Sequence, residues 1–191
     1  PEINYENIKN KSISNEIIDL VKKRGCVVIR SVFEKEKVIE WNYEIERYID
    51  ENNYYEDQKK KAGLDQYFSD LQSGKPQIFG LYWSKPQIES RQSESMAIVK
   101  SWLNSLWKYK FNNKKIFDPN KELVYADRIR RREGGDASLG LSPHCDAGSV
   151  ERWIDSAYQK IYEPIFFDQL KNYDPFNAQF RDQTEEISSA A

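Results

Sequence analysis

The chain has 191 residues, of which 39% are hydrophobic and 31% charged, as in an ordinary folded protein with a substantial core. Its 29 basic and 31 acidic residues nearly balance, which gives no indication of a nucleic-acid partner, and its 14% aromatic content excludes a disordered chain. No apolar run is long enough to cross a membrane and the opening residues PEINYENIKNK contain no apolar stretch, so we expect a cytoplasmic protein without a signal peptide or a membrane partner.

The first predicted elements are a helix and a strand near the N-terminus. Ser14 is a suitable N-cap for a helix that runs to about Arg24, and Gly25 is suited to end it. The segment Cys26–Arg30 is predicted to form a short, mostly buried strand. A second helix follows, with one apolar face made of Val38, Trp41, Ile45, Tyr48 and Ile49.

The middle of the chain alternates between charged and aromatic segments. Residues 51–61 are strongly charged and are expected to be a solvated loop or a helix end, whereas residues 77–83 favour β structure. Ser84 and Gln87 predict a capping box, with Pro86 in the first helical turn. The helix that follows is expected to pack its apolar side chains against a sheet: Ile88, Met96, Val99, Trp102, Leu103 and Leu106.

The second half begins with the alternating segment Leu123–Arg131, which predicts a strand. Its two faces would carry Val124, Ala126, Arg128 and Arg130, and Tyr125, Asp127, Ile129 and Arg131, respectively. Residues 133–136 predict a turn, and a second strand is expected through residues 138–141 into His144. Ser149 can then cap a further helix.

A short string, Pro143-His144-Cys145-Asp146, contains the only histidine of the chain. Residues i and i+2 of a strand point to the same face, so an imidazole nitrogen of His144 and a carboxylate oxygen of Asp146 can converge on one point. These are two of the three ligands in the 2-His-1-carboxylate triad of non-haem Fe(II) oxygenases. The third ligand would be a second histidine, which this chain lacks.

Other interpretations of this string have less support. Most His-x-Asp strings are ordinary loop residues. A nucleophilic pair of Cys145 and His144 is disfavoured because adjacent strand residues point to opposite faces. A structural zinc site is disfavoured because one histidine and two distant cysteines do not supply four ligands at the usual spacings. Cys26 and Cys145 are expected to be reduced thiols.

Arg128 and Arg130 are candidates for binding an anionic co-substrate, because they precede the metal motif and arginine offers a planar, permanently charged fork. The competing interpretation is an exposed basic edge that pairs with nearby Asp and Glu residues. Asp127 or Glu151 could support the metal ligands, or could be plain surface residues.

The stretch from Tyr125 to Trp153 (YADRIRRREGGDASLGLSPHCDAGSVERW) resembles the signature of the 2-oxoglutarate/Fe(II) dioxygenase-like proteins grouped as domain of unknown function 1479. The segments Gly25–Phe33 and Phe79–Gln92 are similar to the same family. The resemblance implies an α+β fold with a double-stranded β-helix (jelly-roll) core, incomplete here, and an N-terminal helical layer. In a single domain, residues 1–120 would form that layer with the first strands, and residues 121–191 would start the core.

The same resemblance implies that His144 and Asp146 are the first two iron ligands, and that Fe(II) and 2-oxoglutarate are the cofactors of the complete protein. The substrate would be an unidentified small molecule. Family members are about twice as long, with the distal histidine in the second half. We therefore expect a second chain or segment to complete the barrel, and this chain alone to be inactive. The alternative is a non-catalytic jelly-roll fragment that acts as an interaction or assembly module.

Overall fold

The computed structural model describes residues 1–59, 78–124, 126–135, 163–167, 171 and 173–179. Its helices are α1 (Tyr5–Lys9), α2 (Asn15–Arg24), α3 (Lys35–Glu51), α4 (Tyr54–Lys59), α5 (Lys85–Arg91), α6 (Glu94–Ser105) and α7 (Glu163–Phe166). Its strands are β1 (Glu2–Asn4), β2 (Val28–Arg30), β3 (Ile78–Phe79), β4 (Lys110–Phe111), β5 (Lys114–Lys115) and β6 (Ile129–Arg130).

These strands form two-stranded pairs: β1 and β2 are parallel, whereas β3 with β6 and β4 with β5 are antiparallel. Within the described ranges no strands close into a barrel, and the jelly-roll core stays a prediction. No helix in these ranges is both long and apolar enough to cross a membrane.

The start and the end of α2 follow the sequence prediction. The Ser14 hydroxyl accepts a hydrogen bond from the backbone N–H of Ile17 at 3.4 Å, which satisfies one of the free donors of the first turn. Gly25 has φ +67°, and its N–H donates to the carbonyl of Val21 at 2.8 Å. That left-handed conformation costs glycine little, so the predicted helix end is confirmed.

The strand after α2 is shorter and more exposed than predicted. It begins at Val28 rather than Cys26, and Val28 is 49% exposed. Its only strand partner in the described residues is β1, with Ile3 opposite Ile29. Ile3 is buried and Ile29 packs against the same core, whereas the residues on either side face outward. The prediction of a mostly buried strand is therefore wrong for this two-stranded pair.

A core cluster joins the N-terminal strands to α6. Ile3, Ile8 and Val99 are buried together, which places α1 against α6. Half-buried hydrophobic residues surround them: Tyr5, Ile13, Ile17, Val27, Ile29, Val32, Ile98, Trp102 and Leu103. Ile17 of α2 and the predicted residues Val99, Trp102 and Leu103 of α6 thus contribute to one cluster.

One face of α3 is buried, as predicted, but this face is narrower than the predicted apolar face. Trp41 and Ile49 are buried, whereas Val38 and Tyr48 are exposed. The indole N–H of Trp41 donates to Glu89 Oε2 at 2.8 Å, which ties α3 to α5.

Glu89 makes the stability of this contact sensitive to acid. The hydrogen bond from Trp41 is the main cause that lowers the pKa of the Glu89 carboxyl below its ordinary value of 4.5, and Lys37 and Lys85 add to it. A carboxyl with a lowered folded-state pKa stabilises the fold above about pH 4.5, and that stabilisation is lost as the pH falls through the lowered pKa. We expect Glu89→Gln to flatten the acid limb of a plot of unfolding free energy against pH.

The measurement is urea denaturation in a series of buffers between about pH 3 and pH 7. Asp19→Asn is the control. Asp19 is an exposed residue of α2 with no partner among the described residues. An acid limb that is as steep in Glu89→Gln as in the wild type would contradict this role of Glu89.

Residues 54–59 form α4 rather than a solvated loop, because two tyrosines in its first turn contact Phe79. The ring centroids of Tyr54 and Tyr55 lie 5.2 and 5.9 Å from that of Phe79. The backbone N–H of Gly80 donates to the Tyr54 hydroxyl at 2.7 Å. These contacts secure α4 on β3.

The helix predicted after Ser84 is two helices. The capping box of Ser84 and Gln87 is confirmed, with Pro86 in the first turn of α5. That helix ends at Arg91, and Ser93 caps α6 by accepting a hydrogen bond from the N–H of Met96 at 3.2 Å. A second capping serine therefore divides the predicted helix.

A distant segment returns to the end of α6. The N–H of Lys108 donates to the carbonyl of Phe176 at 2.7 Å, and the N–H of Ala178 donates to the carbonyl of Lys108 at 3.1 Å. The ring of Phe176 packs on Trp107, with centroids 5.4 Å apart. Ala178 is buried as a result.

Candidate functional site

The predicted metal ligands His144 and Asp146 lie outside the described residues, as do Cys145 and Glu151. Their convergence on one face stays a prediction. In the part of the chain that the structure describes, no group of three or more His, Cys, Asp or Glu residues is placed to hold a metal ion. Arg128 and Arg130 lie within the described ranges, and they form the candidate site.

The strand that carries these arginines is shorter than predicted. β6 comprises Ile129 and Arg130 only, with Ile129 opposite Phe79 and Arg130 opposite Ile78. The partner strand stops at Phe79 because the next N–H, of Gly80, bonds to the Tyr54 hydroxyl instead of continuing the ladder. The prediction of a strand over Leu123–Arg131 is thus wrong in extent, and Leu123 is fully exposed.

The residues on either side of this short strand form ion pairs with two helices. Asp127 forms an ion pair with Arg91 of α5. Arg131 forms an ion pair with Glu46 of α3 at 2.6 Å and lies 3.4 Å from Glu133. The hydrogen bond that the Arg131 guanidinium donates to Glu46 raises the pKa of that guanidinium, which stays charged. Asp127 and Arg131 therefore tie this segment to α5 and α3 through paired charges.

The side chain of Gln87 is a second link between α5 and this segment, and it is only 4% exposed. Its amide nitrogen donates to the carbonyls of Leu81 and Asp127, each at 2.9 Å. Its amide oxygen accepts from the N–H and the hydroxyl of Ser84 at 3.2 and 2.9 Å. The capping residue of α5 therefore also holds the backbone next to Arg128.

Sequence reasoning identified Gln87 only as a capping residue. The one signal for its second role is its chemistry: glutamine offers an acceptor and two donors, whereas a glutamate at the same position would offer acceptors alone.

Arg128 is exposed. Its Nε donates to the hydroxyl of Tyr82 at 2.8 Å, and its guanidinium carbon lies 5.6 Å from the centre of the Tyr82 ring. Arg130 is also exposed. Neither arginine has a carboxylate partner among the residues that the structure describes.

Other cationic side chains of this region, unlike Arg128 and Arg130, are paired with acidic side chains. Arg91 and Arg131 have carboxylate partners, and so does Lys100, whose ammonium lies 2.7 Å from Glu122. The competing interpretation, an exposed basic edge paired with acids, thus describes Arg131 but not Arg128 or Arg130 within the described ranges. The guanidinium groups of Arg128 and Arg130, which are two positions apart in the sequence, remain available for an anion.

Comparisons with known proteins cover the whole chain. The Gig2-like family model matches residues 1–191. The uncharacterized protein YbiU of Escherichia coli K12 is 38% identical over 188 residues, which are 98% of this chain and 44% of that protein. The chain thus spans less than half the length of this curated relative.

Solved structures share its fold. The crystal structure of the hypothetical protein JW0805 from Escherichia coli matches with a TM-score of 0.75 and 35% identity, over 95% of this chain and 41% of that one. A Salmonella typhimurium LT2 protein named "Putative Oxidoreductase" matches with a TM-score of 0.79 and 38% identity, over 95% and 43%.

A fungal structure extends the comparison. GlcNAc Inducible Gene 2, GIG2 (DUF1479), from Candida albicans matches with a TM-score of 0.72 and 28% identity, over 95% of this chain and 36% of that one. The resemblance to domain of unknown function 1479 is confirmed by this match and by the family model. The chain belongs to the Gig2-like family.

Proposed function

We propose that this chain is part of a non-haem Fe(II)/2-oxoglutarate-dependent dioxygenase-like protein that oxidises a small-molecule substrate. The observation that carries the proposal is the pair Arg128 and Arg130, exposed and without a carboxylate partner in the described residues, in a chain that also contains His144-x-Asp146. 2-Oxoglutarate is a dicarboxylate, which two guanidinium groups suit. The Salmonella relative named as an oxidoreductase agrees with this class of reaction.

The candidate residues suit both cofactors, but the set of iron ligands in this chain lacks one member. Arg128 and Arg130 would bind the carboxylates of 2-oxoglutarate and neutralise their charge. His144 and Asp146 offer an imidazole and a carboxylate, a donor set that suits Fe(II), and the third ligand would come from a second chain or segment. When bound, iron and 2-oxoglutarate would supply the oxidising chemistry, whereas the protein would orient the reactants and limit access of water.

Metal binding tests this proposal. We expect the 191-residue chain to bind Fe(II), or Co(II) as a probe, weakly in anaerobic titrations, because two protein ligands fix the metal poorly. His144→Ala and Asp146→Ala should each weaken binding at least about tenfold, as even the loss of a supporting hydrogen-bond partner does in metal sites. Cys145→Ala is the matched control and should leave binding unchanged.

One result would contradict the proposed function, and another would contradict only the expectation that this chain alone is inactive. Equal affinities in the wild type and in both ligand variants would remove the metal assignment and favour the alternative, a non-catalytic interaction or assembly module, which the single histidine already suggests. Strong 2-oxoglutarate-dependent succinate formation by the isolated chain would show instead that no second chain or segment is needed.

A further inference from the structure

Tyr82 is held in place from several directions. The carbonyl of Tyr82 accepts a hydrogen bond from Arg91 Nη2 at 3.4 Å, and the carbonyl of the preceding Leu81 accepts one from Gln87 at 2.9 Å. Arg91 is itself only 11% exposed and paired with Asp127. The backbone that carries the Tyr82 ring is thus fixed to α5, and the ring, half-buried, presents its hydroxyl to Arg128.

The contact with Tyr82 leaves a defined part of Arg128 available. A guanidinium has five N–H donors, and the bond to Tyr82 uses only the one at Nε. The two terminal nitrogens remain, and together they form the end-on fork that binds both oxygens of a carboxylate. The Tyr82 hydroxyl, which accepts from Nε, keeps its own proton and can donate it.

Arg130 lacks this arrangement. It lies on β6 opposite Ile78 and has no hydrogen bond to its side chain among the described residues. A free arginine side chain loses rotamer entropy when it is immobilised by a ligand, which weakens binding. Arg128 has already lost part of that freedom to Tyr82, so it is the better ordered of the two arginines.

We propose that Tyr82 is a positioning residue that orients Arg128 to bind a ligand carboxylate end-on. The identity of the ligand as 2-oxoglutarate rests on the proposed function, whereas the orientation of Arg128 rests on the geometry alone. Removal of the hydroxyl in Tyr82→Phe keeps the ring and its packing, but it releases Nε to solvent.

The test is a double-mutant cycle on the 191-residue chain, with binding of 2-oxoglutarate and of succinate followed by calorimetry. We expect Arg128→Ala to weaken binding about tenfold or more and Tyr82→Phe about threefold to tenfold, because hydrogen bonds to charged groups are the stronger class. In the Arg128→Ala background, Tyr82→Phe should have no further effect, because it acts through Arg128. Tyr43→Phe, at an exposed tyrosine without a described partner, is the control.

A second readout needs no ligand. The NMR order parameter of the Arg128 Nε–H should exceed that of Arg130 in the wild type and should fall in Tyr82→Phe. An unchanged order parameter would overturn the proposal, and so would a Tyr82→Phe effect that persists in the Arg128→Ala background.

The outcomes separate the two proposals. Loss of binding in Arg128→Ala with unchanged binding in Tyr82→Phe would overturn the role of Tyr82 only. The expected cycle with succinate, together with no binding of 2-oxoglutarate, would support Tyr82 and contradict the proposed cofactor. A wild-type chain that binds neither dicarboxylate would overturn both.

Discussion

Phe79→Ala is expected to lower the free energy of unfolding by about 3–5 kcal/mol, the usual cost of truncating a buried phenylalanine. Phe79 is only 1% exposed. Its ring contacts Tyr54 and Tyr55 of α4, and its backbone pairs with Ile129 of β6. The substitution would therefore leave a cavity where α4, β3 and β6 meet, and neighbouring rings of that size cannot collapse fully into it.

The measurement is urea denaturation followed by tryptophan fluorescence, with Phe167→Ala as the control. Phe167 is 67% exposed, so its truncation should change stability by no more than about 0.5 kcal/mol. A loss below about 1 kcal/mol in Phe79→Ala would show that α4 does not pack on β3 in solution.

Gln87→Ala is expected to destabilise the protein by about 2–4 kcal/mol. The truncation removes the partners of two carbonyls, of Leu81 and Asp127, and of the Ser84 N–H, in a place where Gln87 itself is buried. Each buried polar group left without a partner costs about 1–3 kcal/mol, and water that enters recovers part of this. Urea denaturation measures the loss, with Gln92→Ala, at an exposed glutamine, as the control.

Gln87→Glu separates the two functions of this side chain. The glutamate keeps an oxygen that accepts from Ser84, so the capping box survives. It has no amide N–H groups, so the contacts with Leu81 and Asp127 are lost. If Gln87→Glu were as stable as the wild type, the hydrogen bonds from Gln87 of α5 to Leu81 and Asp127 would contribute nothing to stability.

The sequence predicts best those features in which both partners are close along the chain. Ser14 with Ile17, and Ser84 with Gln87, are three residues apart, and both helix starts are as expected.

The features that the sequence does not predict depend on distant partners. The strand before Arg131 is short because Tyr54, far from it in sequence, takes the N–H of Gly80. The contacts between Gln87 and Asp127, and between Tyr82 and Arg128, join residues 40 and 46 positions apart. No propensity or spacing rule predicts such pairs. These pairs nevertheless determine which groups lie beside Arg128, and so whether a carboxylate is among them.

The bridge between Lys108 and Asn177 joins two residues that are far apart in the sequence. Bringing them together costs on the order of 4 kcal/mol of chain entropy, because the cost of closing a loop grows with the logarithm of its length. The backbone hydrogen bonds of Lys108 with Phe176 and Ala178, and the contact between the rings of Trp107 and Phe176, have to offset this cost. No single hydrogen bond of about 1 kcal/mol can do so, and the junction is therefore stable only when its contacts form together.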